Sequence, residues 1–378
     1  MAGRFFEDIG YFAVRGTVSS KAAGTRVEIY WLNTGAKQWH RSGTVTTTSG
    51  GSYAFNQPVG YAAAFAFRTT LGGVPGTSGV ISSNQVSVTV ADSSVKQNPP
   101  VSSIDSLKNP IISGSVHPAR AGVNVSVQVR GSDNTYRSVV STKTNAKGQY
   151  ATSLGYDRGK LTTMRVRSVY QATNRPTHRE FSKSNSIKRV KKLNAVITKT
   201  TAAEVAKTYR RGCPVGASKL RTITMNYYGF DKRMHRGLMI VRTNLTSEIT
   251  RSFQEALDAG YPMAKMKNPN DYGGNDPKQM EANNTSGFNC RKVVGNPYAQ
   301  SPHSYGIAID VNPVQNPYRD RNGKWWPENG RKYIDRSPLK AGMLGKRSAL
   351  TKQLTEEDFF WGGLWSPGKD YQHFEYDK

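Results

Sequence analysis

The chain has 378 residues, with 53 Lys and Arg against 26 Asp and Glu and a formal charge of +27. Its 36% hydrophobic and 10% aromatic content excludes wholesale disorder, and no stretch approaches the roughly 18 uninterrupted apolar residues that a membrane span needs. Two cysteines exclude a disulfide-dense scaffold and a four-thiolate zinc site.

At roughly 100–200 residues per domain, the length suggests two or three domains. The 36 Gly and 18 Pro make a turn-rich chain that leans toward β structure. The opening Met1-Ala2-Gly3-Arg4-Phe5-Phe6-Glu7-Asp8 lacks the basic and apolar regions of a signal peptide. Either a leader is absent from this sequence or export uses another route.

The first half repeats itself. Gly16-Thr17-Val18 matches Gly114-Ser115-Val116, and Gly24-Thr25-Arg26-Val27-Glu28-Ile29-Tyr30 matches Gly122-Val123-Asn124-Val125-Ser126-Val127-Gln128. Further on, Gly51-Ser52-Tyr53-Ala54 matches Gly148-Gln149-Tyr150-Ala151, and Phe67-Arg68 matches Val166-Arg167. Within each copy, apolar residues alternate with polar ones. Val27, Ile29 and Trp31 do so in the first, and Val123, Val125, Val127 and Val129 in the second. A period of two marks strands with one buried face. Turn clusters at Thr48-Ser49-Gly50-Gly51 and Asn145-Ala146-Lys147-Gly148 separate them. Two all-β sandwiches are predicted, over residues 1–95 and 101–190. In architecture they resemble the Ig-like repeats of secreted bacterial proteins. Ser93–Pro100 and the basic run Lys188–Lys192 are predicted to be linkers.

Residues 195–378 change character. Ile249, Phe253, Ala256 and Leu257 lie at helical spacing, with Thr246 or Ser247 placed to cap the start and Gly260 to end it. Strand-like runs surround this helix, at Ile223–Tyr228 and Leu238–Val241. An α+β domain is predicted.

Charge is concentrated after the first repeat: fifteen Lys and Arg against four Asp and Glu give residues 101–190 a charge of +11. Such a field draws in polyanions. Nucleic acid and an anionic bacterial cell wall are both candidates that charge alone does not separate, but no nucleic-acid-reading motif is present and the aromatics form no stacking platform, so nucleic acid is the less favoured.

Two of the six histidines sit in unusual company. The first segment is Ser301-Pro302-His303-Ser304-Tyr305-Gly306-Ile307-Ala308-Ile309-Asp310, and the second is Asp370-Tyr371-Gln372-His373-Phe374-Glu375-Tyr376. If the first run is extended, Gly306, Ala308 and Asp310 share a face while Ile307 and Ile309 meet a core. Two imidazoles and one carboxylate make a plausible three-ligand shell for zinc, leaving a fourth position for water. Asp370 is the candidate acid outside that shell, placed to take a proton from the attacking water. Glu375 either orients His373 or is a rim charge. His235 is read as structural, and Trp325-Trp326 as packing or loop anchoring.

These residues resemble the VanY-type D-alanyl-D-alanine carboxypeptidase and L-alanyl-D-glutamate peptidase family, zinc enzymes that cut peptidoglycan stem peptides and include several phage lysins. The likeness covers most of residues 210–378. It includes Gly212-Cys213-Pro214-Val215, Asn284–Arg291, Ala308–Tyr318 and Trp361-Gly362-Gly363-Leu364-Trp365. It implies His303, Asp310 and His373 as zinc ligands and the acid three residues before the last His as general base. Many relatives carry Glu there; this sequence carries Asp370, which tilts the expectation toward the endopeptidase branch. The resemblance also implies Arg291 near the substrate, holding a stem-peptide carboxylate or polarising the scissile carbonyl. Cys213 and Cys290 flank motif segments, either as a disulfide suited to an oxidising compartment or as two buried thiols. The expected protein is an extracellular or wall-associated zinc peptidase acting on peptidoglycan and held by anionic wall polymers. Its rival is a wall-binding or adhesin-like β protein with an inactive peptidase domain.

Overall fold

The computed structural model describes residues 3–6, 11–58, 63–171, 179–366 and 368–377; Met1, Ala2, Glu7, Asp8 and His178 lie outside them. The chain forms two compact units. One comprises Met1–Ser102, Pro110–Tyr156 and Met164–Ile187, and the other Ser103–Asn109, Asp157–Thr163 and Lys188–Lys378.

The first unit is all-β and holds both repeats. In the first repeat the larger sheet runs in the order Gly3–Phe6, Val86–Ala91, Ala63–Leu71, Arg26–Asn33, His40–Thr46, and Tyr11–Thr17 pairs with Ser52–Pro58 in a smaller sheet. Phe12, Phe65, Phe67, Val88 and Val90 form its core. The predicted alternation holds at Val27, Ile29 and Trp31, which packs half-buried against this core, while Tyr30, buried on the other face, donates to Glu28 at 3.0 Å. The register shift between Ile29 and Tyr30 skips Ser42, so the extra residue belongs to His40–Thr46 and Arg26–Asn33 keeps its faces.

In the second repeat the alternation is complete: Val123, Val125, Val127 and Val129 are all buried. Thr163–Gln171, Asn124–Arg130 and Tyr136–Lys143 are neighbours in the larger sheet, and the smaller one has the order Gln149–Ser153, Ile111–His117, Ser94–Gln97.

Neither predicted linker is an open connection. Ser94–Gln97 is a strand with Val95 and Gln97 buried. Lys188, Arg189 and Val190 pair in parallel with Ser103, Ile104 and Asp105. Arg189 is buried, and its guanidinium donates to the Ser106 and Lys108 carbonyls at 2.8 Å each. A basic run reads as solvated in sequence, but carbonyls that accept the guanidinium protons let one of its members leave water. Asp105 accepts from the Asn226 and Asn194 amides at 2.9 and 3.2 Å.

The second unit is α+β. Leu220–Tyr228 and Met234–Arg242 form a long antiparallel pair. Helix α1, Thr246–Asp258, buries Ile249, Phe253, Ala256 and Leu257 along one stripe, the spacing of an amphipathic helix. Neither Thr246 nor Ser247 caps it. A 3-10 turn over Thr243–Leu245 leads straight in, and Leu245 holds the cap position. Gly260 does end it, at φ +70°. Helix α2 spans Asp276–Glu281 and α3 spans Ala349–Glu356.

The sheet that positions the site has three short antiparallel strands, with His373–Tyr376 between Ala308–Asp310 and Phe359–Trp361. Asp310 lies opposite His373, and Ile309 opposite Phe374. The pleat sends Ile309 and Phe374 into the core, both 0% exposed, and the polar pair to the other face. Cys213 and Cys290 are bridged.

Candidate active site

Asp310 and His373 meet because they are cross-strand neighbours. His303 reaches them from a 3-10 turn over Pro302–Tyr305, capped by the Ser301 side chain. The run from Gly306 is not extended, as the sequence reading supposed. Gly306 ends the turn at φ +71°, and a Cβ there would stand 2.7 Å from Leu220. The strand begins only at Ala308. That left-handed step returns His303 to the face that Asp310 occupies.

The resulting cluster is tight. His303 Nε2 lies 3.1 Å from one Asp310 oxygen and His373 Nδ1 3.1 Å from the other. The two ring nitrogens are 3.2 Å apart. All three residues are buried. Each has a second partner: His303 Nδ1 lies 2.8 Å from the Gly287 carbonyl, and His373 Nε2 lies 3.3 Å from Glu375. A carbonyl only accepts, so Nδ1 carries the proton and the Nε2 lone pair points into the cluster. Burial works against charge on Asp310, yet the two imidazoles hold its carboxyl well below the usual range. Burial likewise opposes charge on His373, but hydrogen bonds to Asp310 and Glu375 raise it to about 10.

Asp370 stands beside the cluster, on a two-residue strand paired with Tyr318. It is buried, and its Oδ1 has no hydrogen-bond partner among the described residues. Burial raises its pKa to about 7, with the Asp310 charge adding to the rise and His373 and Arg291 opposing it. Gly362 makes this approach possible, because a Cβ there would lie 2.8 Å from the Asp370 carbonyl oxygen. The Trp365 ring lies 5.3 Å from that of His373. A small cavity of about 60 Å³ is lined by His303, Asp310, His373, Asp370, Arg291 and Trp365, among others.

Arg291 is engaged. Its guanidinium lies 2.7 Å from Asp276 and 3.9 Å from Asp310. Asp276 is buried, and also accepts from Gln279 and, at 3.4 Å, from Asn289. Sequence reasoning missed Asp276, because Asn275-Asp276-Pro277 reads as a helix start and does serve as one. His235 pairs with Asp231 and stacks on Tyr227, outside the cluster. Trp326 donates to Asp320 and Trp325 stacks on Tyr371, so both anchor the loop.

All three clustered side chains, and Asp370 with them, fall inside one family match. Residues 295–376 match the D-alanyl-D-alanine carboxypeptidase family. Arg291, Asp276 and the disulfide lie outside the matched segment of this carboxypeptidase family. No curated protein sequence matches the chain. Among solved structures, a tetra-tandem repeat in the extending region of a large adhesion protein is similar at 12% identity and a TM-score of 0.25, over 63% of this chain and 61% of that one. Invasin, a bacterial integrin-binding protein, is similar at 15% identity and a TM-score of 0.22, over 61% of this chain and 46% of that one. The chain thus spans less than two thirds of either structure.

The Asp276–Arg291 pair gives a stability test. Removing one partner of a fully buried pair costs about 3–5 kcal/mol. Arg291 keeps some solvent contact and a second carboxylate, so Asp276→Asn is expected to lower unfolding free energy by about 2–3 kcal/mol in urea titration. A loss under half a kcal/mol would mean that the pair holds nothing.

Proposed function

We propose that this chain is a zinc-dependent peptidase of bacterial peptidoglycan, cutting a stem-peptide amide, and that its N-terminal β repeats hold it on the wall. One observation carries the reading: ligand atoms of His303, Asp310 and His373 lie within 4.8 Å of one another, beside a buried acid. The donor set fits zinc, since two imidazole nitrogens and one carboxylate leave the open fourth position of a catalytic site. Zinc held there would polarise a carbonyl oxygen and lower the pKa of a water. The chain's own residues supply the rest. Asp370 accepts the proton of the attacking water and returns it to the leaving nitrogen. Arg291, held by Asp276, lines the same cleft and fixes its wall. Trp365 and the cleft walls restrict water.

The engagement of Arg291 favours one bond over the other. A terminal D-Ala is recognised by its carboxylate, and a guanidinium already neutralised by Asp276 is a weak partner for a second anion. That supports cleavage between L-Ala and D-Glu. Mass spectrometry of a digested muropeptide is expected to show the stem peptide released after L-Ala. Loss of a single D-Ala would overturn the endopeptidase assignment, and an intact substrate would overturn the peptidase reading.

The disulfide supports a working site outside the reducing cytosol, and the +27 charge suits a wall rich in anionic polymers. The full chain is expected to co-sediment with purified walls at low salt and to be released as salt rises, because contacts between exposed charges are screened. Failure to bind at low salt would remove the targeting role.

A further inference from the structure

The two β repeats share a pairing plan but differ on the outer face of the larger sheet. Tyr30 lies opposite Arg68 in the first repeat, as Gln128 lies opposite Arg167 in the second. Two residues earlier, Glu28 stands in the first where Ser126 stands in the second. Glu28 lies 3.4 Å from Arg26 and 3.5 Å from Arg41, and accepts from the Tyr30 hydroxyl at 3.0 Å. Charge around that strand is therefore balanced. In the second repeat the balancing acid is gone.

What remains is a face of one sign. Val125, Val127 and Val129 are buried, so Gln128 and Arg130 point outward. Arg167, opposite Gln128, and Arg165, two residues along the same strand, share that side. Lys143, opposite Asn124, and Arg179, opposite Gln171, join them. All five cations are exposed or half-buried. The two acids of Pro110–Tyr156 and Met164–Ile187 are engaged elsewhere. Asp133 is bound by Arg137, and Glu180, opposite the buried Tyr170, points to the other side. Neighbouring like charges on a sheet repel, and solubility is served by mixed signs.

Arg167 is held in place. Its guanidinium lies against the Tyr136 and Phe181 rings, 4.0 and 4.1 Å from their centroids. Its Nε donates to the Gln128 side-chain oxygen at 2.9 Å, and a 2.8 Å bond between the Tyr136 and Ser184 hydroxyls pins one ring. The two Nη groups have no partner among the described residues. A guanidinium fixed this way loses little freedom when it meets an anion with two oxygens.

We propose, resting on the wall-holding role proposed for the repeats, that this face binds a polyol-phosphate chain. Arg130, Arg165 and Arg167 receive its phosphodiester oxygens, and Ser126, Gln128 and Ser138 receive its hydroxyls. Arg165 and Arg167 are about 6.6 Å apart along their strand, so they meet successive charges of one extended chain. A nucleic-acid base is held by stacking on an aromatic face. Both rings on this sheet face are engaged by Arg167, which favours a chain without rings.

The test uses the full chain and labelled poly(glycerol phosphate), read by fluorescence anisotropy. Saturable binding is expected at low salt, weakening as salt rises. Arg165→Gln combined with Arg167→Gln should weaken binding about tenfold. It should also flatten the log–log salt slope by about 1.4, at about 0.7 per cation on a flexible chain. Lys346→Gln combined with Arg347→Gln removes the same charge from exposed positions and should weaken binding less than about twofold. Arg167→Lys keeps the charge without the fork and should cost about threefold. Arg165→Gln alone disturbs no partner, so its loss of about threefold remains readable if the double variant fails to fold. The proposal is overturned if the polymer does not bind, or if the face variants lose no more than the Lys346 and Arg347 control. It is also overturned if an oligothymidylate or a polygalacturonate of equal charge binds as tightly, since the face then belongs to nucleic acid or to a carboxylate polymer. Sedimentation with purified walls tells two failures apart. A chain that binds walls but not poly(glycerol phosphate) keeps the wall role and loses this ligand, whereas one that binds the polymer but not walls loses the wall role alone.

Discussion

His303→Ala is expected to empty the proposed zinc site and to slow muropeptide hydrolysis by at least about 1000-fold. Catalytic zinc is normally held by three protein ligands, and this change leaves only Asp310 and His373. Loss of the ion removes several kcal/mol of charge stabilisation, and each 1.36 kcal/mol is a decade in rate. Metal analysis should fall from one ion per chain to almost none, with the far-ultraviolet circular dichroism unchanged. His303 is 2% exposed, so truncation also opens a cavity; His303→Gln keeps the volume and separates a lost ligand from a lost fold. His235→Ala is the control, because His235 pairs with Asp231 away from the cluster. Retained hydrolysis in a folded, metal-free His303 variant would end the account. Metal uptake should also strengthen as pH rises. In the empty cluster His373 keeps its proton up to about 10, and that proton must leave before Nδ1 can bind an ion.

Asp370→Asn should leave the metal in place and reduce kcat about 100-fold to 10,000-fold, the range for a lost general base. The pH profile distinguishes this from a structural loss. Burial, reinforced by the Asp310 charge, raises the Asp370 carboxyl to about 7. A base works only when ionised, so activity should climb with pH through an acid limb. A cation bound at the cluster pulls that limb down, to an apparent pKa at or below about 7. The limb should vanish in Asp370→Asn. An unchanged profile in that variant would assign the proton transfer to another group, and the neighbour to examine is Glu375, which the bond from His373 holds below its usual range.

Much of this arrangement could be read from sequence where one residue type does one thing. Val123, Val125, Val127 and Val129 alternate without interruption, and the structure buries all four. Helix α1 declared itself by the same logic at a different period. Reading failed where a local event changed the rule. Tyr30 is buried on the face that alternation leaves outward, where its hydroxyl donates to Glu28 at 3.0 Å, and no composition signal announces that burial. Arg189 read as one more surface charge, because the carbonyls that satisfy it belong to residues 106 and 108. In the site, the motif around His303 and Asp310 drew attention to side chains that the fold places together. Its local shape was misread, since Gly306 is a turn residue and not part of a strand. Asp276 left no trace at all. Its contact with Arg291 is a long-range fact, and its own neighbours explain it fully as a helix start.

The pairing of Asp310 with His373 and of Ile309 with Phe374 has a consequence for quality control. Side chains on a pleated strand change sides at every residue. A slip of one position in the final strand would thrust the His373 imidazole into oil and push the Phe374 ring out beside the carboxylate. No half-working arrangement lies between the two. A molecule that settled in the wrong frame would therefore be catalytically silent rather than sluggish, and the active fraction of a preparation should count its correctly threaded molecules.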